Sequence, residues 1–82
     1  AMALRSLGRA VAAVSEFELL RERNPEYVPT YLMLGQLLES LGRLAEAVRA
    51  YEEGIARAGA AGNDHARNEL QQALDVLRTQ DI

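Results

Sequence analysis

His65 is the single imidazole of the chain, and cysteine is absent. No thiolate metal site, disulfide or cysteine nucleophile can therefore form, and one imidazole holds a metal only with carboxylates beside it. Glu52-Glu53 and the pair Glu16 and Glu18 are the nearest approach to paired carboxylates. Neighbours one or two apart on a helix point in different directions, so these pairs cannot share a proton and read as solvated faces. Ser6, Ser15 and Ser40 have no base within helical reach, and an unactivated hydroxyl is a poor nucleophile. Gly59-Ala60-Ala61-Gly62 lacks the following lysine and the preceding strand of a phosphate loop. These residues predict no enzyme, no metal and no cofactor.

The composition narrows the remaining classes. The 82 residues include nine basic and twelve acidic side chains, for a formal net charge of −3. A nucleic-acid module carries a basic excess that releases counterions from phosphates, so none is expected. No apolar run approaches the ~18 residues that would cross a membrane. The arginines alternate with glutamates instead of massing on one helix face, which argues against lying on a membrane surface. All nine basic residues are arginine, a usage that suggests a GC-rich or heat-adapted bacterial source. No targeting segment is visible, and a cytoplasmic location is the default expectation.

The elements that would position any site come from an internal repeat. Leu4-Arg5-Ser6-Leu7-Gly8-Arg9 returns as Leu38-Glu39-Ser40-Leu41-Gly42-Arg43, and the register holds through Ala13 and Ala47, Phe17 and Tyr51, and Arg23 and Arg57. A partial third copy, Ala73-Leu74-Asp75-Val76-Leu77, comes two residues late, and the small-residue stretch from Ala58 to Asn63 reads as the loop that absorbs them. Each unit has helical period. Tyr31, Leu34, Gly35, Leu38 and Leu41 form one stripe, and Leu44, Ala47, Val48, Tyr51 and Ile55 a second. Pro29 suits a first helical turn, and Gly42 a helix end. The same reasoning makes Gly8 the end of a preceding helix, with a new one over 9–23. Asn63 or Asp64 can cap the last helix, whose outer face of Arg67, Gln71 and Arg78 is polar, as a closing helix requires.

A helix–turn–helix unit of this length with these residues resembles the tetratricopeptide repeat family. Tyr31 takes the first aromatic position, Leu34-Gly35 the Leu-Gly pair, Ala47 the small crossing residue and Tyr51 the second aromatic. Pro25 falls on the proline that closes the preceding unit. Gly54 stands where the family has alanine or serine, and Gly59 where a closing proline would stand. The resemblance implies an all-α antiparallel helix-pair solenoid with a C-terminal capping helix. It divides the chain into a partial repeat over 1–27, a complete repeat over 28–61 and a capping helix over 62–82.

The resemblance further implies a protein or peptide partner held on the concave face, which the first helix of each pair lines. Carried over position by position, that groove takes Arg5 from the first unit and Pro29, Leu32, Gln36, Glu39 and Ser40 from the complete one. His65, Asn68, Gln72 and Asp75 follow from the last helix. Met33 and Leu37, off the stripe, are expected to touch an adjacent repeat. The family's carboxylate-clamping members place lysine along the groove, and this chain has none, so a C-terminal tail is not the expected ligand. The incomplete first unit leaves two further readings open: a homodimer whose second copy fills the gap, giving a self-assembling or tethering module, or a regulatory piece of a longer enzyme.

Overall fold

The computed structural model describes the backbone of residues 2–80 and the side chains of residues 8–79. Four helices follow one another: α1 (Met2–Arg23), α2 (Pro29–Ser40), α3 (Leu44–Ala61) and α4 (Asp64–Gln80). Each packs on its successor, α2 also touches α4, and α1 makes its helix-packing contact with α2 alone. The turns are short, so successive helices run antiparallel. α1 and α3 form one layer, and α2 and α4 the other.

The chain's punctuation sets these boundaries. Pro25 pushes Asn24 out of helical geometry, and α1 stops at Arg23. Pro29 opens α2 at its first turn, where a missing N–H costs nothing. Gly42 ends α2 at φ +74°, a region that penalises any side chain. There the Arg43 N–H reaches back to the Leu38 carbonyl at 2.9 Å, and the Gly42 N–H to Glu39 at 2.9 Å, closing a Schellman-type end. Gly62 ends α3 in the same way, and the Asn63 side chain caps α4 by accepting from the Ala66 N–H at 3.1 Å.

Two readings from the sequence need correction. Gly8 does not end a helix: α1 runs through it without a break. At Gly42 the reversed chain is held by α2 packing against α3. The stretch from Ala58 to Asn63 is not a loop either. α3 continues through Ala61, because alanine favours helix and nothing lies within 4 Å of a Cβ at Gly59. The two extra residues lengthen α3 by half a turn, and Gly62 makes the reversal.

The core lies between the layers. Tyr31, Tyr51 and Ala47 have no exposed surface, and Leu34, Leu38, Val14, Leu70, Leu74 and Leu77 surround them. Two glycines set the helix spacing. A Cβ on Gly35 would stand 2.3 Å from the Tyr51 ring, and one on Gly54 would stand 2.6 Å from Tyr31 Cβ. This accounts for the glycine at position 54: it costs α3 about 1 kcal/mol of helix propensity and admits the Tyr31 side chain. Glu53 reaches Arg21 of α1 at 3.5 Å and Glu52 reaches Arg78 of α4 at 3.2 Å. Exposed pairs of this kind contribute at most about 1 kcal/mol each.

Candidate functional site

α2 and α4, the two helices of one layer, flank an open cleft of about 330 Å³. Leu32, Gln36 and Glu39 fall on one face of α2 because they are spaced by four and three residues. Opposite them stand Glu69, Gln72, Ala73 and Val76 of α4, and the Tyr51 ring of α3 forms the floor. The Tyr51 hydroxyl donates to Glu39 Oε2, which fixes the carboxylate at one wall. Two carboxylates, two amides and three apolar side chains make a mixed surface of acidic character, with no arginine in its lining.

The residues expected from the sequence divide around this cleft. Leu32, Gln36, Glu39 and Gln72 are brought together in its lining. His65 is exposed at the start of α4, 2.9 Å from Glu69. Asn68 is exposed outside the lining. Asp75 accepts from the Gln71 amide at 3.0 Å, along its own helix. Pro29 is exposed in the first turn of α2. Ser40 donates to the Gln36 carbonyl at 3.1 Å and lines another cleft, between α1 and α2. Arg5 belongs to α1, and its side chain lies outside the described residues.

Glu69, Ala73 and Val76 were missed because the equivalents of the forward face of α2 were sought on α4. The cleft is instead closed by the side of α4 that looks back toward α2. In the repeat register these three correspond to Met33, Leu37 and Ser40. Met33 and Leu37, the two of these expected to touch an adjacent repeat, are thus the signal for the second wall, whereas Ser40 is expected in the groove. Leu32 both packs against the core and lines the cleft.

The buried phenols give the site a defined protonation. Burial, followed by the hydrogen bond to Glu39, holds Tyr51 well above the ordinary tyrosine value. Burial also raises Tyr31, with the Glu53 carboxylate adding to it. Both groups hold their protons more tightly folded than unfolded. Their contribution is complete below pH ~10 and is lost as the pH rises beyond it. In an alkaline titration, phenolate absorbance from these two rings should emerge together with loss of helicity. Tyr51→Phe should make the alkaline fall in stability shallower. Full ionisation of both rings in an intact helical protein would contradict this assignment.

Among the described residues no group of three His, Cys, Asp or Glu side chains could hold a metal ion. Among the described residues no helix is long and apolar enough to cross a membrane. The cleft offers hydrogen-bonding amides, carboxylates and apolar walls, which is the chemistry of recognising another chain's side chains and backbone.

Comparison with known proteins agrees with this fold. The tetratricopeptide repeat family matches residues 28–60. A TPR repeat-containing protein of Pseudomonas aeruginosa is 32% identical over 75 residues, covering 88% of this chain and 71% of that protein. Protein DIA2 of Eremothecium gossypii is 40% identical over 50 residues, covering 61% of this chain and 7% of that much longer protein. The tetratricopeptide repeat domain protein of Salinibacter ruber has a similar structure. Its crystal structure superposes with a TM-score of 0.81 at 36% identity, covering 95% of this chain and 89% of that one. Its solution structure gives the same TM-score at 39% identity, covering 84% and 70%.

Proposed function

Because the chain belongs to the tetratricopeptide repeat family, whose members generally serve protein–protein interaction, we propose that it is a non-catalytic interaction module that takes a peptide segment of a partner protein in the cleft between α2 and α4. The observation that carries this reading is the lining itself. Glu39 of α2 and Glu69 of α4 line it together with apolar Leu32, Ala73 and Val76 and the amides of Gln36 and Gln72, which can meet a peptide backbone. Such a surface favours a segment with an apolar anchor flanked by lysine or arginine, since opposite charge steers encounter and like charge is penalised.

Peptide display against the full chain tests it. Selection should enrich sequences carrying an apolar residue beside basic ones, and exchanging both Glu39→Gln and Glu69→Gln should remove the basic preference. Val76→Arg, at a side chain already half exposed, should block capture without unfolding the helices. Selection of acidic sequences, or capture unaffected by Val76→Arg, would move the site elsewhere.

A further inference from the structure

The carboxylate on the α2 wall of the cleft differs from an ordinary surface glutamate. Glu39 is half-buried, and its Oε2 accepts from the hydroxyl of Tyr51. That ring has no exposed surface, and Gly35 lies so close that a Cβ there would stand 2.3 Å from it. The ring therefore cannot swing to another acceptor, and among the described residues Glu39 is the partner of its hydroxyl. Breaking the bond would leave a buried donor unpaired, which costs more than the bond itself contributes. Oε2 is committed, and Oε1 is the oxygen open to a ligand. Glu69, on the α4 wall, is held less firmly: its Oε1 lies 2.9 Å from Nε2 of His65, whose side chain is 88% exposed.

Two cations compete for such a site. Arginine owes its strength at carboxylates to a planar fork that donates to both oxygens at once. Tyr51 denies it the second oxygen of Glu39. Lysine carries a compact ammonium with three donors that diverge, and it needs only one oxygen from each neighbour. The cleft supplies oxygens in that form. Oε1 of Glu39 is joined by the amide oxygen of Gln36, one turn away on the same face of α2, and by that of Gln72 from α4. Ala73 and Val76 offer apolar surface to the lysine stem. Resting on the peptide-binding reading of this cleft, we infer that it selects lysine over arginine in the partner segment, with Glu39 as the recognising carboxylate and Tyr51 as the residue that positions it.

The selectivity also separates partner from self. All nine basic side chains of this chain are arginine, and several, Arg67 and Arg78 among them, are exposed. A cleft that took both cations equally would draw the arginines of other copies as well. Discrimination against arginine removes that competition.

Three fluorescein-labelled peptides, Ser-Lys-Leu-Lys-Ser, Ser-Arg-Leu-Arg-Ser and Ser-Gln-Leu-Gln-Ser, test this on the full chain by fluorescence anisotropy. The first two carry the same charge, so long-range steering cancels in their ratio. The lysine peptide should bind about fivefold or more tighter than the arginine peptide, as the cost of an unpaired buried donor implies. The glutamine peptide should bind weakest. Tyr51→Phe releases Oε2 and should bring the lysine-to-arginine ratio to one or invert it, whereas a role of Tyr51 in packing alone would weaken both peptides alike. Circular dichroism checks that this variant is folded, and the wild-type ratio decides by itself if it is not. An arginine peptide that binds the wild type as tightly as the lysine peptide would overturn this inference alone, as would an unchanged ratio in folded Tyr51→Phe protein. A glutamine peptide that binds as well as both would overturn the cleft reading, and this inference with it.

Discussion

Gly35→Ala should destabilise the fold by about 3 kcal/mol and lower the melting temperature by roughly 12–24 °C, since each 1 kcal/mol corresponds to about 4–8 °C in a domain of this size. Two effects of opposite sign compete. Alanine in a helix interior gains about 1 kcal/mol over glycine. Against this, the added methyl stands 2.3 Å from Tyr51 Cε1, 2.6 Å from Cζ and 2.7 Å from Cδ1, where carbon atoms rest about 3.5–4.0 Å apart. The ring cannot swing aside, because it is fully buried and its hydroxyl is held by Glu39. α2 and α3 must separate, and the clash wins. Gly8→Ala isolates the propensity term. Nothing lies within 4 Å of a Cβ there, and the residue is inside α1, so the melting temperature should rise by about 4–8 °C. The double variant Gly35→Ala with Tyr51→Leu should be more stable than the sum of the two single effects predicts, as expected for residues in direct contact. Thermal melts followed by circular dichroism decide all three. A Gly35→Ala protein melting within a few degrees of wild type would show that the helices are not held at this spacing.

The second large effect belongs to Tyr31. Tyr31→Ala should cost about 3–5 kcal/mol, as deletion of a buried aromatic side chain does. A folded chain of this length has about 4–12 kcal/mol in total, so the variant should be largely unfolded at modest urea. Tyr31→Phe separates packing from hydrogen bonding. The hydroxyl donates to the Pro25 carbonyl at 2.5 Å, tying α2 to the turn that precedes it. Pro25 is only partly buried, so water can replace the donor, and the loss should be about 1 kcal/mol. Urea unfolding at 222 nm measures both. Similar losses for Phe and Ala would place the stabilisation in the hydrogen bond and not in the ring.

The architecture was legible because its determinants are local or repeated. The stripes through Tyr31 and Tyr51, Pro29 at a helix start, Gly42 at a helix end and the polar outer face of α4 depend on nothing beyond one helix and its neighbour. Gly8 and Gly59 were misread for the opposite reason. A glycine forms a turn only where packing holds the reversed chain, and the closely similar sequence around Gly8 and Gly42 takes two conformations, continuous helix at the first and a helix end at the second. The cleft was half legible. Its α2 wall follows from helical spacing, while its α4 wall depends on which side of α4 faces back across the interface, a relation that exists only between two elements. The meaning of Gly54 was likewise hidden, since its partner Tyr31 lies on another helix.

The order of contacts, in which α1 packs on α2 alone while the other helices are held on at least two sides, also has a kinetic meaning. A chain joined only through nearest neighbours behaves as a one-dimensional array, and its units open in sequence from the weakest end. Amide protection should therefore form a gradient, lowest in α1 and highest where α2 meets α3. Its mostly short-range contacts belong to the class that folds within microseconds to milliseconds.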